Sequence, residues 1–163
     1  MIFVTVGTHE QAFNRLLEEI DRLKKDGVLT DEVFIQTGFS TYEPKYCSWK
    51  KFLSYSEMEE YMSKATIVIT HGGPATFMGS ISKGKRTIVV PRQKKYDEHV
   101  NDHQLEFVTF LSEKFPTLEV ITEIQEIGGK VLSFSDSDSF RSVESNNDKF
   151  NEAFSVIIKN LVS

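Results

Sequence analysis

One glycine turn in this sequence has the composition of an anion site: residues 71–76 (HGGPAT), directly after the apolar run 67–69. Adjacent glycines let a bulky anion approach the backbone, and Pro74 suits the first turn of a helix. A helix N-terminus supplies unpaired N–H groups and about half a positive charge, and Thr76 adds a hydroxyl. The turn predicts a phosphate site. The alternative is a turn that only lets the chain leave a sheet, with His71 capping a backbone group.

The same turn weakens two common nucleotide-binding interpretations. It has no third spaced glycine, as a dinucleotide fingerprint requires, and no Gly-Lys-Ser/Thr, as a P-loop requires. Hydride chemistry and P-loop phosphoryl transfer are therefore not indicated.

A dense polar run, residues 92–104, follows the next apolar run, 87–90, and Pro91. Its last six residues hold two histidines, two amides and one acid, which is more than helix capping needs. The alternative is a solvated helix start with Asp97 as the acid favoured near a helix N-terminus. We favour a polar recognition segment beside the first turn.

These segments need elements that bring them together, and the chain alternates strand and helix patterns. Strands are predicted at 2–6, 33–36, 67–69, 87–90 and 118–121 with a weaker one near 47–53, and helices at 13–23, 56–64, 74–84 and 99–112. This alternation predicts an α/β, Rossmann-like open parallel sheet of about five or six strands flanked by helices. Loops 7–9, 36–38 and 71–76 then lie beyond the carboxyl ends of the strands, where ligands bind in such sheets.

Length and composition fit one cytosolic domain. The 163 residues correspond to about one domain, and a net charge of −5 disfavours nucleic acid as a partner. Cys47 is the only cysteine, so no internal disulfide is possible. The strand at the N-terminus lacks a basic signal-peptide region, so we expect a cytoplasmic protein. Residues 133–145 read as a Ser-rich linker and 146–162 as an amphipathic helix, which either docks a partner or packs on the sheet.

Three blocks together resemble the C-terminal, donor-binding half of family 28 GT-B glycosyltransferases. They are the turn from His71 to Gly84, the strand end at 88–91 and the run 99–104, and residues 3–8 are similar to the family's first strand and loop. The resemblance covers about residues 1–125. It is strongest to small subunits that work with a separate membrane-attached subunit in capsule, exopolysaccharide or dolichol-linked chitobiose synthesis. One half of a GT-B fold is what 163 residues can hold.

The resemblance implies a role for each matching residue in binding a UDP-sugar donor, with no other cofactor. The first loop would contact the donor diphosphate through Gly7 and Thr8, and the glycine turn would cradle it with His71, Gly72, Gly73 and Thr76. The polar run would face the sugar hydroxyls with His99, Asn101, Asp102 and Gln104. Apart from the resemblance, Arg92 lies near the predicted cleft, and we expect it to bind the substrate. Many relatives hold the ribose with a glutamate where this chain has Gly79, so ribose recognition here differs.

A basic cluster stands out in an acidic chain: Lys83, Lys85, Arg86, Arg92, Lys94 and Lys95. The functional interpretation is an anionic counterpart, either a diphosphate or the headgroups of the cytoplasmic leaflet. The alternative is a solvated helix end and strand flank.

No catalytic base is assigned from the sequence. His9 can approach the cleft, but we favour an exposed loop histidine because no orienting carboxylate can be inferred. A metal site at His99, Asp102 and His103 is possible by ligand type, yet the two histidines without a clear third ligand favour polar surface, and the resemblance implies no bound metal.

The leading hypothesis is a hexosyltransferase subunit that presents a UDP-sugar to a membrane-attached acceptor subunit, which holds it at the inner face of the membrane. Together they would transfer the sugar to a polyprenyl-diphosphate-linked saccharide. Two alternatives stay open: a non-catalytic activating subunit, and a free-standing nucleotide-binding regulatory domain. The sugar, the linkage and the acceptor are not encoded in any pattern we recognise.

Overall fold

A parallel six-stranded sheet organises the protein, in the strand order β3-β2-β1-β4-β5-β6. The computed structural model describes residues 1–135. The strands are β1 (Ile2–Thr5), β2 (Val33–Gln36), β3 (Ser48–Lys50), β4 (Ile67–Thr70), β5 (Arg86–Val89) and β6 (Leu118–Val120). The predicted α/β, Rossmann-like class is confirmed, with the strand order reversing between β1 and β4.

Helices connect the strands and cover both faces of the sheet. They are α1 (Asn14–Lys25), α2 (Tyr55–Lys64), α3 (Pro74–Ser82), α4 (His103–Ser112) and α5 (Ile127–Ser135). The first three lie close to their predicted positions. Helix α5 was not predicted, because its two adjacent glycines are poor helix formers.

The predicted helix over 99–112 begins four residues late, at His103. A short 3-10 helix (Lys94–Tyr96) ends at Asp97, whose φ of 57° is left-handed and stops any continuation. The side-chain oxygen of Asn101 then accepts a hydrogen bond from the His103 N–H at 3.0 Å, which forms a turn before α4, whose N-cap residue is Asp102.

The core explains why the central strands read as unbroken apolar runs. All four residues of β1 and of β4 are buried, because helices pack on both faces. On one face Val4 and Ile69 pack with Leu16 of α1, and on the other Phe3 packs in a cluster with Met62 of α2. The sheet is therefore a rigid support for the loops at its carboxyl edge.

Two sequence predictions fall mainly outside the described residues. The Ser-rich linker, 133–145, begins inside α5 and then leaves the described part of the chain, and the amphipathic helix 146–162 lies wholly beyond it. Within residues 1–135, no helix is long and apolar enough to cross a bilayer.

Candidate functional site

The imidazole of His71 lies where two loops meet at the carboxyl ends of β1 and β4. It is 7% exposed, and its Nε2 faces glycine on two sides. A Cβ built on Gly73 would lie 2.3 Å from this nitrogen, and one built on Gly7 would lie 2.5 Å from it. Only glycine fits at either position, and Gly7 also has a φ of +76°. The ring therefore forms the floor of a cradle with backbone walls.

Burial keeps the His71 ring uncharged at neutral pH. Loss of solvation, with a smaller contribution from the positive charge of Arg92, lowers the pKa of His71 from 6.5 to about 4. The side chains of His9 and His99 act in the same direction, and a hydrogen bond with the Thr5 backbone opposes them. His71 Nδ1 lies 3.0 Å from the hydroxyl oxygen of Thr70, which fixes the ring.

The N-terminus of α3 completes this cradle. Gly73 is its N-cap, Pro74 occupies the first turn, and no side chain caps the helix. Thr76 is half-buried in the same turn, with its backbone N–H 3.2 Å from the carbonyl oxygen of Gly73. An uncapped helix start beside glycine backbone attracts anions because the helix dipole and the amides point the same way.

The side chain of Gln36 holds the first loop, a role that we did not predict from the sequence. It bonds with the Thr5 hydroxyl, accepts from the Gly7 N–H at 3.2 Å and donates to the Gly7 carbonyl at 3.2 Å. Thr5 and Gln36 are partners in the β1–β2 register, so a buried amide opposite a buried hydroxyl was the available signal. Thr8, the next residue, is exposed at the rim.

Arg92 lies behind the cradle rather than in it. Its side chain is completely buried and donates to the carbonyl oxygens of Val6 at 2.8 Å, Gln11 at 2.6 Å and Glu98 at 3.0 Å. Burial lowers the pKa of Arg92 to about 10, which leaves it charged at neutral pH. The bonds to Val6 and Gln11 indicate that Arg92 positions the loop after β1, and its Nε is buried without a hydrogen-bond partner in the described chain.

In the polar run after β5, some side chains bond within the segment itself, and Gln104 packs against the glycine turn. Asn101 accepts from the His103 N–H at the start of α4, and Asp102 accepts from the Lys94 N–H at 3.0 Å while staying exposed. Gln104 packs on Gly72, where a built Cβ would lie 2.8 Å from the Gln104 Cβ. Its Oε1 is buried without a hydrogen-bond partner in the described chain. His99 stacks on His9 with ring centroids 4.6 Å apart.

The basic cluster does not form one surface. Arg86 is buried against the Phe134 ring and bonds its carbonyl oxygen, and Lys83 pairs with Glu59 at 2.8 Å. Lys94 and Lys95 are exposed. A shared anionic counterpart is therefore not what gathers these residues in the sequence.

The metal hypothesis has no support in the geometry. Among residues 1–135, no three histidine, cysteine or acidic side chains are placed to hold a metal ion.

Gly79 lies on α3 with open space around it, since a Cβ built there meets nothing within 4 Å.

The fold is that of one half of GT-B glycosyltransferases. The spinosyn forosaminyltransferase SpnP matches with a TM-score of 0.68 at 15% identity, over 93% of this chain and 39% of that one. Glycosyltransferase VinC, solved in complex with DTDP, matches with a TM-score of 0.61 at 15% identity, over 99% of this chain and 40% of that one.

The sequence defines the family more narrowly. Residues 1–160 match the glycosyltransferase family 28 C-terminal domain, and the chain belongs to this family. It is 32% identical over 114 residues, 64% of its length, to the human UDP-N-acetylglucosamine transferase subunit ALG13, of which the match covers 10%. The chain thus spans a small part of this relative and about two-fifths of the solved enzymes.

Proposed function

We propose that this domain binds a UDP-sugar at the carboxyl edge of its sheet and serves as the donor-binding subunit of a two-subunit glycosyltransferase. The reaction is transfer of a hexose to a polyprenyl-diphosphate-linked saccharide in exopolysaccharide or capsule synthesis. The observation that carries the proposal is the cradle of Gly7, His71 and Gly73 at the uncapped start of α3.

The cradle suits a diphosphate because it offers close approach and hydrogen-bond donors without a carboxylate. Neutral His71 can donate one hydrogen bond, the start of α3 supplies backbone amides, and Thr76 supplies a hydroxyl. Fixed donors and a helix dipole also stabilise the charge that develops on a departing diphosphate.

The sugar end of the donor is assigned to the run after β5. The unpaired Oε1 of Gln104 faces the glycine turn, and an unpaired buried acceptor rejects a sugar that lacks the matching hydroxyl. We assign His99, Asn101 and Asp102 to the sugar hydroxyls as well, and Thr8, which is exposed in the first loop, to the diphosphate.

The partner is proposed to be a membrane-attached subunit that carries the acceptor site. Support comes from the human relative, which is itself named a transferase subunit, and from the coverage of about two-fifths of two solved enzymes of the same fold. The partner would hold this domain at the cytoplasmic face of the membrane.

Titration calorimetry with a panel of UDP-sugars tests the binding step. We expect saturable binding by the wild type that is lost in His71→Ala and weakened in Thr76→Ala. Thr109→Ala, on the exposed side of α4, is the matched control and should bind as the wild type does. Absence of binding with the partner subunit present would refute the proposal.

A non-catalytic activating subunit is the second candidate, and the open surface at Gly79 favours it because no carboxylate is there to hold a ribose. The same titration separates the two. An activating subunit would restore transfer by its partner although it binds no UDP-sugar itself.

A further inference from the structure

His9 lies at the edge of the cradle, two residues after Gly7. It is half-buried, and its ring is stacked on His99 at an interplanar angle of 18°. From the sequence we favoured an exposed loop histidine, because no orienting carboxylate could be inferred. The structure supplies a side-chain amide as the orienting group.

The orienting group is the side-chain amide of Gln11. Its Nε2 donates to the Asp97 carbonyl oxygen at 3.1 Å, and its Oε1 lies 2.8 Å from His9 Nε2. A carbonyl oxygen only accepts, so the amide nitrogen must face Asp97 and the amide oxygen must face the imidazole. His9 Nε2 therefore carries the proton, and in the neutral ring Nδ1 holds a free electron pair.

Both anchors of this chain of hydrogen bonds are themselves fixed. Buried Arg92 bonds the carbonyl oxygens of Val6 and Gln11, on either side of His9. Asp97 is the one non-glycine residue with positive φ among residues 1–135, and this turn presents its carbonyl to Gln11. Such a conformation costs free energy and persists where the surroundings demand it.

The stack with His99 restrains the remaining freedom of the His9 ring. The Asn101 N–H lies 3.4 Å from His99 Nδ1 and holds that ring in turn. Within the described chain, no hydrogen bond is made by His9 Nδ1. The arrangement is an oriented imidazole with one nitrogen bonded to protein and the other available to a ligand, which is what a general base requires.

We propose that His9 is the general base of the transfer reaction, with Gln11 as its positioning residue; this rests on the proposed function. His9 Nδ1 takes the proton of the acceptor hydroxyl as that oxygen forms its bond to C1 of the donor sugar. The bond from C1 to the diphosphate oxygen breaks, and UDP leaves with the electron pair. The proton ends on His9 and the configuration at C1 inverts.

The test measures donor binding and transfer separately, using the full chain with membranes that carry the partner subunit and the lipid-linked acceptor. His9→Ala should lower kcat about 10²–10⁴-fold and leave the Kd for the UDP-sugar within about twofold. Added imidazole should restore part of the rate. His103→Ala, an exposed histidine at the start of α4, is the matched control and should keep the wild-type kcat.

The two proposals fail differently. A wild-type chain that binds no UDP-sugar refutes the proposed function. Binding retained in His9→Ala together with an unchanged kcat refutes His9 as the base and leaves donor binding intact. A kcat loss that imidazole does not rescue, matched by an equal loss of donor affinity, also refutes it.

A measurement without turnover tests the positioning role of Gln11. Imidazole ¹⁵N NMR of the wild type should show the Nε2–H tautomer at His9, and Gln11→Ala should give a mixture of both tautomers with a lowered kcat. An unchanged tautomer population in folded Gln11→Ala would overturn the orientation argument.

Discussion

Two neighbouring regions of the site are built by opposite means. The loops after β1 and β4 approach each other closely because Gly7 and Gly73 have no side chains, and both pack against the His71 ring. The segment after β5 is held by buried polar side chains, with Arg92 bonded to three carbonyl oxygens and Glu98 in a two-point ion pair with Arg15 at 2.9 and 3.0 Å.

The two regions therefore have different roles: one is placed to contact a ligand, and the other supports the first loop. Glycine backbone leaves room for the His71 ring, and it is the first region that offers amides and a helix start. The second region bonds Arg92 and Glu98 internally and sets where the first loop lies. The buried charged residue Arg92 therefore supports the site, whereas the uncharged glycine loops are the part that we expect to contact the ligand.

The largest effect is expected from removing the support. Arg92→Met leaves three carbonyl oxygens without their donor, two of them in buried hydrogen bonds, and an unpaired buried group costs about 1–3 kcal/mol. We expect the free energy of unfolding to fall by at least about 3 kcal/mol in urea denaturation. Lys95→Met, in the same segment but exposed, should change it by less than about 0.5 kcal/mol. Equal losses of stability in Arg92→Met and Lys95→Met would show that Arg92 does not support the site.

Gly7 and Gly27 have nearly the same φ, so comparing them tests whether contact with His71 is the reason that position 7 requires glycine. Gly7 and Gly27 have φ of +76° and +77°, but only at Gly7 would a Cβ meet another residue. Gly27→Ala should cost about 1–2 kcal/mol from backbone strain, and Gly7→Ala about 1–3 kcal/mol more from the clash. Unfolding of both variants by heat and urea measures the difference. If Gly7→Ala were no worse than Gly27→Ala, the cradle would not be tightly packed.

The burial of His71 gives stability a specific pH dependence. Its pKa is about 4 when folded and 6.5 as the ordinary value, so between these pH values the unfolded chain binds the extra proton. The free energy of unfolding is therefore unaffected by this proton above about pH 6.5, and it falls by up to about 3 kcal/mol as the pH is lowered toward 4.

Denaturation between pH 4 and 7 checks this against a variant that cannot titrate. The wild type should lose more stability on acidification than His71→Asn does, whereas His103→Ala should follow the wild type. Parallel curves for wild type and His71→Asn would mean that His71 is accessible to protons in the folded state.

The smallest effect is expected where neither region constrains the chain. Gly79 lies inside α3 with no neighbour within 4 Å of a built Cβ, so Gly79→Ala should stabilise the protein by about 1 kcal/mol. Thermal unfolding measures this, with Gly129→Ala in α5 as a second open helical glycine. Destabilisation by Gly79→Ala would show that the helix face is covered.

These contrasts also show what was predictable. Strand Val33–Gln36 and the glycine turn at His71 follow from local pattern, and both were found from the sequence. Arg92 was expected to bind the substrate because it lies near the predicted cleft; its burial depends on carbonyl oxygens more than 80 residues away. The roles of Gln36 and Gln11 were not predicted for the same reason, since their bonds to Gly7 and to Asp97 join residues far apart in the chain and leave no periodic signal.

The most direct test of the central claim, that the glycine cradle binds a diphosphate, is a calorimetric series of uridine, UMP and UDP on the wild type and Gly73→Ala. We expect affinity to rise steeply from uridine to UDP in the wild type and the phosphate-dependent gain to vanish in Gly73→Ala, whose Cβ would lie 2.3 Å from His71 Nε2. Equal affinities across the series, or a gain that survives in folded Gly73→Ala, would contradict the account.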